Sequence, residues 1–181
     1  MTTIFRHRRS AGLATYATCF VAIALASPAD ASPVVKEQTG YPPPCSTGQV
    51  TVSTDIVQSA STHGAVRLAF SLTSTADTEL CVLQGYPGVD TGTGGPLLHA
   101  ERRPRGYMGG LPAGTDELPV VTLSRNARAY AVVEGTAVDA QGNQCPTYTT
   151  LLVTPPDTTE AVAIAAEIDA CAVVVHPVTG G

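Results

Sequence analysis

From residue 50 onwards the chain alternates between apolar and polar positions. Val50 and Val52 are interleaved with Thr51 and Ser53. The clearest run is Ala65 to Thr73, where Val66, Leu68, Phe70 and Leu72 share one face and Arg67, Ala69, Ser71 and Thr73 the other. A period of two with one apolar face predicts a half-buried antiparallel strand. Further strands are predicted at Leu80 to Leu83, Val120 to Leu123, Arg128 to Val138, Tyr148 to Thr154 and Cys171 to Val178. Clusters rich in Gly, Pro, Asn or Asp separate them, at Asp90 to Pro96, Arg103 to Pro119, Asp139 to Pro146 and Thr154 to Asp157. Thr158 to Ala170 is ambiguous. Its alanines and the Asp157-x-x-Glu160 start suit a short capped helix, yet Val162, Ile164, Ala166 and Ile168 alternate, and we read its beginning as a strand. Short strands with regular turns predict an all-β, antiparallel two-sheet β-sandwich of about seven to nine strands.

Composition supports that class. Residues 32–181 hold 20 threonines and 19 valines, both β-branched and suited to a pleated surface. With 44% apolar and 14% charged residues, the chain is not a disordered acidic segment. A net charge of −5 argues against nucleic acid as a partner. The single lysine, Lys36, excludes a polybasic membrane-surface mode.

The first residues read as an export signal. Arg6, His7, Arg8 and Arg9 precede an uncharged apolar run from Ala11 to Ala26, shorter than the roughly 20 residues of a membrane span. Ala29-Asp30-Ala31 supplies a small-x-small cleavage site, which places the mature start at Ser32. Arg8-Arg9 also admits a twin-arginine route. Cys19 lies inside the apolar run, not at a lipoprotein cleavage point. The expected organisation is a signal peptide at 1–31, a Pro-rich linker at 32–44 and one domain at 45–178, secreted or in the cell envelope, monomeric and without a membrane span once the signal is removed.

Four cysteines remain after Cys19: Cys45, Cys81, Cys145 and Cys171. An even number in an exported chain reads as two disulfides, with three possible connectivities. Cys45–Cys81 with Cys145–Cys171 is favoured, since each pair staples one half of the domain. Their spacings match no zinc motif and no CxxC occurs, so neither a metal nor a redox site is expected.

Several pieces of the chain match a known pattern: Cys45, Gly64-Ala65-Val66-Arg67-Leu68, and Cys81-x-Leu83-x-Gly85-Tyr86-Pro87-Gly88-Val89. Arg105-Gly106-Tyr107-Met108-Gly109-Gly110, Val133-Glu134-Gly135, Cys145-Pro146-Thr147-Tyr148 and His176-Pro177-Val178 complete it. Together they resemble a family of exported actinobacterial proteins known only as domain of unknown function 4232. The resemblance implies an immunoglobulin-like sandwich in secreted or lipid-anchored envelope proteins, and it implies no activity.

Candidate chemistry concentrates in Leu97 to Leu111, which gathers Arg102, Arg103 and Arg105 beside His99, Tyr107, Met108 and Gly109-Gly110. Clustered arginines can clamp a carboxylate or phosphate, and an apolar pair in a glycine-rich loop departs from the polar composition of loops. Arg103, Arg105, Tyr107 and Met108 are therefore the candidate binding residues. The competing reading is a solvated charge cluster with Tyr107 and Met108 folded back as a lid. Gly85-Tyr86-Pro87-Gly88 reads as a rigid turn, Asp116-Glu117 as a solvated turn, and Thr91 to Gly95 as a hairpin turn without the lysine of a phosphate loop. There is no GxSxG elbow and no HExxH spacing. Neither catalytic residue nor cofactor is expected, and the function read from the sequence is a non-enzymatic module binding an envelope component or a protein. A purely structural envelope protein and a hydrolase with a spatially assembled site are the alternatives.

Overall fold

The computed structural model describes residues 40–60 and 62–181, with side chains omitted at 56–60. The expected signal peptide and all but the end of the Pro-rich linker lie outside the described residues. Eleven strands follow one another: β1 (Val50–Ala60), β2 (His63–Leu72), β3 (Cys81–Gln84), β4 (Gly88–Thr91), β5 (Glu101–Arg102), β6 (Val120–Leu123), β7 (Ala129–Thr136), β8 (Thr147–Thr154), β9 (Val162–Asp169), β10 (Val173–Val175) and β11 (Thr179–Gly180). Among the described residues there is no helix, so none is long and apolar enough to cross a membrane.

The larger sheet runs β1-β2-β7-β10-β5, with β11 also paired to β7. Its ladders are antiparallel apart from the short parallel pairing of β5 with β10. Smaller antiparallel sheets are β3-β6 and β4-β8-β9. The segment after β4 changes sheets. The Thr91 N–H donates to the Leu98 carbonyl and the Ala100 N–H to the Val89 carbonyl, and the Arg103 N–H then donates to the carbonyl of Val175 in β10. That crossing delivers the next loop onto the larger sheet.

The predicted inner face of β2 is the observed one: Val66, Leu68, Phe70 and Leu72 are all buried. They join Leu83, Leu123, Val133, Tyr148, Leu151, Val153, Ile168 and Val175 in one apolar cluster drawn from every sheet. The Tyr148 hydroxyl donates to the Pro96 carbonyl at 2.7 Å, which satisfies the polar end of this buried aromatic. Thr158 to Ala170 contains no helix, and its strand, β9, starts at Val162 and not at the beginning of the stretch; of the alternating set Ile164 and Ile168 are buried, while Val162 is exposed.

The strand count exceeds the expected range for two reasons. The strand expected at Leu80 to Leu83 is β3, but β4 follows it after Gly85-Tyr86-Pro87 and was not expected, and β5 and β11 are two-residue pairings too short to leave a periodic signal. The linker also contributes more than its prolines suggest. Pro43 has no N–H to offer, but its carbonyl accepts from Val82, and Cys45 donates to the Val82 carbonyl. Both disulfides pair as expected, Cys45–Cys81 and Cys145–Cys171. The first ties the end of the linker to β3; the second ties the β7–β8 connection to the β9–β10 turn.

Candidate functional site

The loop between β5 and β6 folds back on itself as a tight hairpin. Gly106 donates to the Gly109 carbonyl at 2.9 Å, and Leu111 to the Pro104 carbonyl at 2.7 Å. Tyr107 and Met108 form the tip. This hairpin lies on the outer face of the larger sheet, over β7. Alternation points Ala131 and Val133 into the core and Tyr130, Val132 and Glu134 outward. Glu134 is nevertheless only 6% exposed, because the hairpin covers it.

One carboxylate organises the tip. Glu134 Oε2 accepts the Tyr107 N–H at 3.0 Å and Oε1 accepts the Met108 N–H at 2.5 Å. Oε1 also meets His176 Nε2 at 2.9 Å. His176 is 1% exposed, and its Nδ1 faces the Arg103 carbonyl at 2.9 Å. A carbonyl only accepts, so Nδ1 carries a hydrogen, and the Nε2–Oε1 contact needs one further proton between the two groups. The pair is thus held either as imidazolium and carboxylate or as imidazole and carboxylic acid. No buried side-chain nitrogen or oxygen lacks a partner among the described residues.

Two glycines permit this approach. A Cβ at Gly106 would lie 2.5 Å from His176 Nε2 and 2.6 Å from Glu134 Oε1. Gly110 has a φ of +101°, in the region that side chains disfavour, and a Cβ there would lie 2.4 Å from the Pro104 carbonyl oxygen. The Arg-Gly-Tyr-Met-Gly-Gly run is therefore the sequence of a backbone pressed against a buried carboxylate.

The four candidate binding residues fall into different environments. Arg105 is turned into its own loop. Its Nε donates to the Pro112 carbonyl at 3.0 Å, and its Nη2 to the Thr115 carbonyl and to Asp116 Oδ1, the latter at 2.8 Å; the side chain is 33% exposed. Arg103 points to solvent and pairs with Glu101 at 2.7 Å. Hydrogen bonding from the Arg103 guanidinium, then its charge, holds the Glu101 carboxyl below the usual range, and the reciprocal contact raises Arg103. Met108 is half-buried. Tyr107 is 73% exposed, and its ring stacks on His63 with centroids 5.3 Å apart and planes 24° apart. The tip is thus anchored as a lid would be, while its aromatic ring stays outside.

Glu134, His176 and His63 were not among the candidate residues. Alternation alone makes Glu134 an ordinary outward charge and His176 the end of a strand. The only signal was that Val133-Glu134-Gly135 and His176-Pro177-Val178 occur in the same family pattern as the arginine loop.

None of the three described histidines joins a hydroxyl to a carboxylate. His63 meets Thr62, His99 meets Asp90 at 2.6 Å, and His176 meets Glu134 and a carbonyl. Among the described residues no group of three or more His, Cys, Asp or Glu is placed to hold a metal ion.

Residues 45–179 match the family model described as domain of unknown function (DUF4232), and the chain belongs to that family. No curated protein and no solved structure matches the chain.

Proposed function

We propose that this DUF4232 domain is a non-enzymatic, exported binding module of the cell envelope or its surroundings, and that the Tyr107–Met108 tip is its contact surface. One observation carries the reading. The Tyr107 backbone is fixed by a buried carboxylate while the residue as a whole is 73% exposed. An ordered but uncovered aromatic has already given up its conformational freedom before any partner arrives, which favours binding. Aromatic anchors of this kind are enriched where interfaces concentrate their energy. The two disulfides fit an oxidising compartment.

Arg103 contributes a peripheral charge in this reading, and Arg105 shapes the loop. The test places a photo-crosslinking residue at position 107, and separately at Ser71 on the same outer face, in cells that produce the protein. A discrete adduct at 107 and none at 71 is the expected result. Equal labelling at both positions overturns the proposal. Tyr107→Ala should shift unfolding free energy by less than about 0.5 kcal/mol; a large loss of stability would make the ring a structural element instead.

A further inference from the structure

A second site lies near the start of β7, away from Glu134. A groove of about 590 Å³ opens between the β6–β7 turn and β11. Thr122, Arg125, Asn126, Arg128 and Tyr130 line it, with Gly180 and Gly181 along one side. We propose that this groove binds a small anionic saccharide, a sugar carrying a phosphate or carboxylate group.

The charge distribution points that way. The chain has 15 acidic against 10 basic residues, yet the side chains that line this groove include two arginines and no Asp or Glu. Three arginines elsewhere in the fold are matched with carboxylates, Arg67 with Asp55, Arg103 with Glu101 and Arg105 with Asp116, while Arg102 has no such partner among the described residues; in the groove, Arg125 is matched with Asp77. Arg128 has no such partner among the described residues. Arg125 meets Asp77 through a single nitrogen, Nη1, at 2.9 Å, so the rest of its guanidinium fork is open to a second acceptor.

The wall is built before any ligand arrives. The Ser124 hydroxyl accepts the N–H groups of Asn126 and Ala127, and Ser124 and Ala127 bond to each other through their backbones. The turn that carries Arg125 and leads to Arg128 is therefore fixed at both ends. Size then separates a sugar from a bare oxyanion. The volume lies in the range of small-molecule sites, and Thr122, Asn126 and the Tyr130 hydroxyl supply neutral hydrogen-bonding groups suited to ring hydroxyls.

Titration calorimetry on the full chain tests this with glucose 6-phosphate, glucuronate, glucose and inorganic phosphate. Saturable binding of one or both anionic sugars is expected, with a Kd on the order of 1 mM that weakens as salt is added. The sugar that binds more tightly identifies phosphate or carboxylate as the recognised group. Glucose should bind far more weakly. Arg128→Ala, an exposed change, should weaken binding about ten-fold or more, and Arg125→Ala should weaken it also. Three results overturn the proposal: no saturation with either anionic sugar, inorganic phosphate binding as tightly as the sugars, or undiminished binding in both arginine variants.

Discussion

Strands β7 and β10 are covered on both faces, and the two covers are of opposite kinds. Inside, Ala131, Val133, Val173 and Val175 meet Phe70, Leu83, Tyr148 and Leu151 through apolar contact alone. Outside, Glu134 and His176 are buried under a loop that reaches them with backbone N–H and carbonyl groups. Apolar packing is non-directional and scales with area, so the inner face accepts many side chains of suitable volume. The outer face is directional. Each bond to Glu134 has one geometry, and an unpaired buried group is costly. The inner face therefore gives the sandwich its stability, and the outer face gives one loop a unique position.

The largest effect should come from the inner face. Phe70 is the only phenylalanine after residue 31 and is 0% exposed. Phe70→Ala removes its burial and leaves a cavity at the centre of the cluster, at a cost of about 3–5 kcal/mol. Denaturant unfolding measures it. The loss should be global, with amide protection falling in every strand together. A loss below about 1 kcal/mol would mean that the inner face is not the main source of stability.

Glu134→Ala should cost about 3 kcal/mol, because it strands His176 and two backbone N–H groups under the loop. Its signature differs from that of Phe70→Ala. Hydrogen exchange should accelerate at Tyr107 and Met108 well before the core strands lose protection. Glu134→Gln sharpens the contrast. An amide has one acceptor oxygen where the carboxylate has two, so one of the two loop N–H groups must face an NH2 group in either orientation. Its loss should fall between zero and that of the alanine variant. Uniform loss of protection in Glu134→Ala would erase the distinction between the faces.

The two faces also differ in how far they could be read from the amino acids. Val66, Leu68, Phe70 and Leu72 announce the inner face through simple alternation, and of three possible cysteine connectivities the one favoured, with each pair stapling one half, is the one observed. Alternation equally places Glu134 outward, beside Tyr130 and Val132, where a charged residue reads as solvated. Its burial is made by residues 106–108, brought from far along the chain when the strand after β4 leaves one sheet for the other. No local period encodes that crossing, which rests on pairings only two residues long. Thr158 to Ala170 was ambiguous for a different reason: alanine suits a helix well, and only the packing of Ile164 and Ile168 against the core settles it as strand. Within the arginine loop the cluster was visible, but not which arginine turns inward.

Arg105 gives the smallest effect of the series and tests the rim of the outer face. Exposed on a loop, it would contribute almost nothing to stability. Its guanidinium instead reaches two carbonyls and Asp116, joining the hairpin to the 112–116 segment. Asp116 is 88% exposed, so the ion pair itself adds little in water. The two carbonyl contacts dominate, and Arg105→Ala should cost about 1 kcal/mol. Arg105→Lys separates geometry from charge. Lysine keeps the attraction to Asp116 but cannot span two carbonyls with a planar fork, so it should lose nearly as much as alanine. A lysine variant as stable as the parent would show that Arg105 acts through charge alone, and its contribution would then fade as salt is raised.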